Sequence, residues 1–480
     1  MNTKNYSDQD TIIAISTATS DAGIGIIRLS GEKAIECADK CVVDSGRRHN
    51  LCERSAGTIR FSYVVEEDET VLDEALVSVF KCPHSYTGED MVEINVHGGR
   101  LILQKTLKLL LNSNPDRLRI AEPGEFTKRA FLNGKMDLTR AEAIQDIISA
   151  ESDFALKNAA RQLGGDLYKK IDEIRKAVLY ETAFIESALD DPDNYEIDKL
   201  SEGLPEKITN IISSINRLLI SADEGKIRKE GLKVSIIGEP NAGKSSLLNL
   251  LTGEESAIVT DIAGTTRDVL NESIKIGDLL LNISDTAGLR QTDDKVEAIG
   301  VKKAEQNAQN SDLILFVLDA YKFLKEDKSI LTDYIKNIIR DKKICVLVNK
   351  SDLLSEETFN SALNDIKKEF TDTDERFFLK TSFKNKEGID KLRDVIYEMF
   401  LNGETVPKAE IYLTNIRHEQ ALKRAKESLE LVINTAKEGR SEDLYTVDLM
   451  DAYSSLSEIL GEGVEDDLAD EIFSKFCMGK

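Results

Sequence analysis

The chain has 480 residues, 41% of them hydrophobic and 31% charged, with a formal net charge of −24. That length predicts about two to four globular domains, and the acidic balance excludes a protein that coats nucleic acid by electrostatics alone. No apolar run approaches the roughly 18 residues of a membrane span, and the polar N-terminus lacks the layout of a signal peptide.

Residues 1–120 predict an α/β domain. Strand-like runs span Ile12–Ser16, Ile24–Leu29, Ile59–Val65, Ala75–Phe80 and Met91–His97, with helices over Glu32–Cys41 and from Arg100 to about Leu111. Two stretches stand out for glycine, DAGIGIIRLSG (21–31) and YTGEDMVEINVHGG (86–99). The first lacks a full Gly-x-Gly-x-x-Gly and carries Arg28 inside its strand, which argues against a dinucleotide fingerprint. His97 reads as a strand-end histidine rather than a catalytic one. Cys37 and Cys41 share a helix face without a third ligand nearby, so they read as ordinary thiols of a reducing, cytoplasmic protein.

Residues 121–225 predict the first part of a helical domain. Leu163, Leu167, Ile171, Ile174 and Val178 recur at four- and three-residue steps, the stripe of one long core-facing helix. Asp190-Asp191-Pro192-Asp193 ends it, and a second helix runs to about Ser221. Residues 403–480 resume the helical period through Ala421, Ala425, Leu429 and Val432, then Leu449, Tyr453, Leu456 and Leu460, and end in FCMGK. Neither flank has enough helices to bury its stripes alone. The layout therefore predicts one helical bundle built from both flanks, with residues 226–402 inserted into it. Two independent flanking domains are the alternative.

The inserted segment carries the densest chemistry. GEPNAGKSS (238–246) follows the apolar run Val234–Ile237 and opens a helix-type run, the strand–loop–helix context of a phosphate-binding loop. Backbone amides of Asn241, Ala242 and Gly243 would wrap a triphosphate, Lys244 would reach its β- and γ-phosphates, and Ser245, next to Ser246, would hold Mg²⁺. Thr265 and Thr266 lie in DIAGTTRD, with Asp261, Ile262, Ala263 and Gly264 before them, and suit a switch loop closing on Mg²⁺ and the γ-phosphate. DTAG (Asp285, Thr286, Ala287, Gly288) follows the strand-like Leu279–Ile283. NKSD follows ICVLV; there Asn349, Lys350 and Asp352 meet the base, the carboxylate accepting from two donors that guanine has and adenine lacks. TSFK places Ser382, Phe383 and Lys384 in the last base-contacting loop, with Phe383 where a small residue is usual. Motifs in this order specify a Ras-like P-loop GTPase domain that binds GTP.

The whole chain closely resembles the tRNA modification GTPase family called MnmE or TrmE. The resemblance rests on GIGIIRLSG (23–31), TGEDMVEINVHGG (87–99), RIAEPGEFTKRAFLNGKMDLTRAEAI (119–144), the P-loop, TDIAGTTRD (260–268), DTAGLR (285–290) and the terminal Cys-x-Gly-Lys. It implies an N-terminal tetrahydrofolate-binding and dimerisation domain, a homodimer, and a flavoprotein partner, MnmG (GidA). With that partner it implies addition of an aminomethyl or carboxymethylaminomethyl group at carbon 5 of the wobble uridine of certain tRNAs. The one-carbon unit would come from 5-formyl- or methylene-tetrahydrofolate held by Arg28, Glu93, Lys135 and Lys480. A regulatory GTPase of ribosome assembly is the alternative, separable by a folate-binding assay.

Hydrolysis by this sequence shows two deficits. Leu289 follows DTAG where many GTPases use glutamine to orient water. The resemblance assigns that task to Glu297 among the acidic residues of switch II. Transition-state charge also needs a cation. The resemblance places a potassium ion on Asn241 with Thr260, Ile262 and Thr265; Arg267 and Arg290 are the rival cations within the chain.

Overall fold

The computed structural model describes residues 10–191, 197–254, 272–283, 309–325, 342–370, 374, 377–401, 411–438, 443–463, 466–477 and 479. Two compact units result. One comprises Met1–Ser149, Ala159–Ile212 and Ala421–Lys480, the other Ala150–Asn158 and Ser213–Gln420. The first unit thus draws chain from both sides of the second.

The first unit begins with β1 (Thr11–Ile15), β2 (Ala22–Ser30), α1 (Ala34–Asp39), β3 (Val42–Val43), β4 (Thr58–Val65), β5 (Val71–Phe80), β6 (Met91–Gly98), α2 (Arg100–Asn112) and β7 (Leu118–Ile120). The strands form a seven-stranded sheet in the order β3-β4-β5-β6-β2-β1-β7. Period-two alternation sends Ile27, Leu29, Val77, Val79, Val92 and Ile94 to one face, where they pack with Leu103 and Leu110 of α2. Each such fully buried aliphatic side chain contributes on the order of 1.5–3 kcal/mol. Gly25 in β2 permits this packing, because a Cβ there would lie 2.6 Å from Leu103. The strands expected from the sequence are present. β3 and β7 are too short to show a period and were not expected. Cys37 and Cys41 are buried in this core, and burial pushes both thiols up from their ordinary range.

The helical part of the same unit opens with α3 (Glu125–Leu132) and α4 (Leu138–Ile148), the latter capped by Asp137 accepting from the Arg140 N–H. The single long helix expected through Leu163–Val178 is instead two, α5 (Asp153–Leu163, in this unit from Ala159) and α6 (Asp166–Asp190). Gly164 and Gly165 divide them. Gly165 has φ +88°, and the Arg140 guanidinium occupies the space of its missing side chain. Leu163 therefore ends its helix 38% exposed, while Leu167, Ile171 and Val178 are fully buried on α6. The next helix, α7 (Ile197–Glu230), continues past the expected end at Ser221 and leads straight into β8 (Leu232–Gly238).

In the second unit, β8 is followed by α8 (Lys244–Glu254), β9 (Glu272–Ile276), β10 (Leu279–Ile283), β11 (Leu313–Asp319), α9 (Ala320–Phe323), β12 (Lys343–Asn349), α10 (Glu356–Glu369), β13 (Phe378–Lys380) and α11 (Ile389–Leu401). Their six-stranded sheet has the order β13-β12-β11-β8-β10-β9, parallel except at β9. Near-continuous apolar strands suit this arrangement, since both faces of a parallel sheet are covered. Together the units make a mixed α/β multidomain protein in which a P-loop domain interrupts a helical one.

The chain returns to the first unit with α12 (Ile416–Lys437, from Ala421), α13 (Asp443–Leu460) and α14 (Asp466–Ser474). α13 lies against α6. There Arg175 bonds Asp172 at 2.7 Å, pairs with Glu462, and sits 5.6 Å from the Tyr453 ring. α14 closes on the start of α3 at Gly124, which has φ +70° and touches the Phe473 carbonyl and the Phe476 side chain. Gly124→Ala should therefore lower stability by about 1–3 kcal/mol, read as a fall in the midpoint of thermal unfolding. Unchanged melting would mean that α14 can move away at no cost.

Candidate functional site

Parallel strands end together, so the loops at their C-terminal edge converge. In register, Gly238 of β8 lies beside Val317 of β11, and Asp319 of β11 beside Asn349 of β12. Gly238 must be glycine because a side chain there would run into the Val317 carbonyl oxygen. Asn241 turns the loop in the left-handed region, φ 61°, with its carboxamide exposed. Ala242 is buried and Gly243, φ 112°, leads into α8. Ser245 and Ser246 lie exposed in the first turn of that helix, whose free N–H groups and dipole favour an anion.

Lys244 folds back over the loop, donating from Nζ to the carbonyls of Gly238 and Glu239 at 2.8 Å each. Burial holds its pKa below the ordinary lysine value, against the opposing charge of Glu239. A triphosphate would give this ammonium the counter-charge that its present carbonyl partners supply only as dipoles.

The base-side loops are bonded to the phosphate loop itself. Asn349 donates from Nδ2 to the Ala242 carbonyl at 2.8 Å and accepts at Oδ1 from the Phe383 N–H at 3.1 Å. One buried carboxamide thus holds three segments together. Phe383 fits where a small residue is usual because its ring enters the core under the P-loop, 3.1 Å from where a Gly243 side chain would stand. Ser382 Oγ donates to Asp352 Oδ1 at 2.8 Å, orienting the carboxylate. Lys350, left-handed at φ 63°, pairs with Asp319 at 2.7 Å, and Asp319 also caps α9. Lys384 is exposed beside them. Asp319 was not singled out from the sequence: it ends an apolar strand and has no motif around it. Thr260, Asp261, Ile262, Ala263, Gly264, Thr265, Thr266, Asp285, Thr286, Ala287, Gly288, Glu297 and Lys480, to which the sequence assigns roles, lie outside the described residues.

A second cluster lies in the first unit. Arg28 of β2 and Glu93 of β6 are cross-strand partners, and Glu93 Oε1 lies 2.9 Å from Arg28 Nε and 2.7 Å from Nη2. Arg28 Nη1 also donates to the Gly479 carbonyl at 3.2 Å, 451 positions away in sequence. The guanidinium sits 5.5 Å from the Tyr86 ring centroid and 5.6 Å from that of Phe126. Lys135 donates to the Pro83 carbonyl at 2.9 Å, so the sequence-expected Arg28 and Glu93 meet each other while Lys135 braces the loop before Tyr86.

The segment EPGEFTKRAF explains itself in this geometry. Gly124 admits α14, and Phe126 faces Arg28. Thr127 Oγ1 bonds the Tyr86 hydroxyl at 2.8 Å, and Arg129 bonds Glu89 at 3.1 Å. Glu125 receives Arg119 and Arg129. Burial alone would raise its pKa, but the Arg119 hydrogen bond, the Glu122 N–H and both guanidinium charges hold it below the usual carboxylate range. The sequence marked the motif; the partners of Tyr86, Phe126, Glu89 and Arg129 were not legible in it.

Comparisons with known proteins identify the family. Residues 11–135 match the family model described as GTP-binding protein TrmE N-terminus, and residues 138–477 match the MnmE helical domain. A tRNA modification GTPase MnmE from Lachnoclostridium phytofermentans is 44% identical over 98% of this chain and 99% of its own length. The chain belongs to the MnmE family. Another relative of the same description, from Staphylococcus aureus strain Newman, is 40% identical over 98% of this chain and all of its own. Among solved structures, Era of Aquifex aeolicus bound to GDP and AlF4⁻ is 27% identical, covering 42% of this chain and 67% of that one at a TM-score of 0.28. This MnmE-family chain is a GTPase of tRNA modification. Among the described residues no helix is long and apolar enough to cross a membrane.

The Asp352 carboxylate, set by Ser382, generates a specific expectation. Asp352→Asn should weaken GTP affinity by about 10²-fold or more, through loss of two charge-assisted hydrogen bonds, and should gain affinity for xanthosine triphosphate. Binding titrations with both nucleotides check it; unchanged GTP affinity with no gain for the xanthine nucleotide would remove Asp352 from the base site.

Proposed function

We propose that this protein installs an aminomethyl or carboxymethylaminomethyl group at carbon 5 of the wobble uridine of certain tRNAs. It does so in the cytoplasm as a homodimer, together with the flavoprotein MnmG, and uses GTP hydrolysis to drive or gate the step. The observation that carries the reading is the Arg28–Glu93 pair with the Gly479 carbonyl on the same guanidinium. Two of the positions that the family resemblance assigns to folate, Arg28 on β2 and Glu93 on β6, meet, and the backbone of Gly479 joins them. Their chemistry fits the cofactor: Glu93 accepts from the N–H edge of a pterin, and Arg28, Lys135 and Lys480 offer cations to its carbonyl and carboxylates. When bound, the tetrahydrofolate supplies the one-carbon unit.

In the GTPase domain, Lys244 exchanges its two carbonyl partners for the β- and γ-phosphates, and the P-loop amides and the N-terminus of α8 bind the rest of the triphosphate. Asn349 keeps the base loops in register with the P-loop, and Asp352 reads guanine. Ser245 and Thr266 would hold Mg²⁺. Glu297 orients the attacking water, since the aliphatic Leu289 offers no polar atom for it. Asn241 fits a potassium site through its exposed side-chain oxygen at the crest of the loop, the donor type that hard cations take; Thr260, Ile262 and Thr265 would complete it. Potassium, when bound, supplies positive charge beside the phosphates where other GTPases use arginine.

Two measurements test the proposal. Mass spectrometry of wobble uridines from cells lacking this protein should show the carbon-5 group missing, and unchanged tRNA would overturn the assignment. GTP turnover should be faster in K⁺ than in Na⁺ of equal ionic strength by about 10²–10³-fold, and Asn241→Ala should abolish the difference. A rate indifferent to the cation, or a K⁺ response lost in Arg267→Ala but kept in Asn241→Ala, rules out the potassium site.

A further inference from the structure

The Arg28 guanidinium lies within cation–π distance of two aromatic rings that no step of the proposed chemistry yet uses. Tyr86 comes from the loop before β6 and Phe126 from the first turn of α3, with centroids 5.5 Å and 5.6 Å from the guanidinium carbon. Both rings are set by α3. Phe126 is part of it and fully buried, and the Tyr86 hydroxyl is bonded to Thr127, the next residue, at 2.8 Å. The loop bearing Tyr86 is tied to the same region three more times, through Glu89 to Arg129, the Thr87 carbonyl to Asn133, and the Pro83 carbonyl to Lys135.

A guanidinium held against aromatic rings loses rotamer freedom, while its in-plane donors stay available. Here Glu93 takes the edge bearing Nε, and the Gly479 carbonyl takes one hydrogen of Nη1. The direction of the remaining donors at the end of the fork follows the orientation of the guanidinium, which contact with the two rings restricts. Arginine without the rings would satisfy Glu93 from many orientations.

We infer that Tyr86 and Phe126 are positioning residues for the folate ligand, acting through Arg28 by holding its guanidinium in one plane. Neither ring needs to touch the ligand. The Tyr86 hydroxyl anchors the loop, whereas the ring supplies the constraint. The inference rests on the folate reading given above and adds specific residues to it.

The test measures 5-formyl-tetrahydrofolate affinity by calorimetry on the full-length chain. Tyr86→Leu should weaken binding about tenfold, the fold-change of losing one desolvated cation–π contact, and Tyr86→Phe should restore most of it. Phe126→Leu should act in the same direction, with thermal melting confirming that each variant is folded. A purely structural role is separated by repeating Tyr86→Leu in the Arg28→Ala background. There it should cost nothing further, because the residue through which it acts is gone. An equal loss in both backgrounds, or wild-type affinity in Tyr86→Leu, overturns the inference and leaves the folate reading intact. If wild-type protein does not bind the folate, both fall together.

Discussion

The approach of the Phe473 carbonyl to Gly124, where a side chain would run into the oxygen, decides how the end of the chain reaches the N-terminal sheet. Only a residue without Cβ, in the left-handed region, allows α14 to close there. That closure brings the last residues of the chain to the end of β1. Gly479 is pressed against Ile15 and Ser16, again with positive φ and no room for a side chain. From that position its carbonyl meets Arg28. A site that joins residue 28 to residue 479 therefore depends on two glycines that carry no chemistry themselves. The ionic cluster of Glu125, Arg119, Arg129 and Glu89 stiffens the same turn, and its members are mutually paired, so their burial leaves no lone charge.

The second unit uses a different device for the same purpose. A Ras-like sheet brings loop ends close but does not couple them. Here Asn349 bonds the P-loop with its amide nitrogen and the Phe383 loop with its amide oxygen, inside the core. The P-loop and the loops at Asn349 and Phe383 are thereby bonded to one another. Phe383 contributes its backbone to that link and its ring to the core below, which is how an uncommon residue is tolerated at that position.

Much of the fold was legible because its signals are local. The strands β1, β2, β4, β5 and β6 showed as short apolar or alternating runs, α2 and α6 showed helical stripes, and the apolar runs of β8, β10 and β12 each ended in a recognisable loop. Strands of two or three residues cannot show a period, which is why β3 and β7 were missed. The break between α5 and α6 was missed because two glycines within a good stripe cost little by propensity alone. The packing of Arg140 against Gly165 fixes the interruption.

The sequence by itself named a GTPase: glycines, lysine, serine, asparagine and aspartate stand at the fixed spacings of short motifs, and the groups each motif offers a nucleotide lie within a few positions of one another. It also pointed to Arg28 and Glu93, although only by resemblance. Tertiary structure alone decided that two nitrogens of Arg28 bond one oxygen of Glu93, that the Gly479 carbonyl joins them, and that Tyr86 and Phe126 lie beside the guanidinium. The physical reason is range. A P-loop is written in one stretch of backbone, so its spacing is its geometry, whereas the guanidinium cage is assembled from four stretches between residues 28 and 479. The juxtaposition of those stretches depends on strand register and on which glycine lets a helix close, and neither is encoded by spacing along the chain.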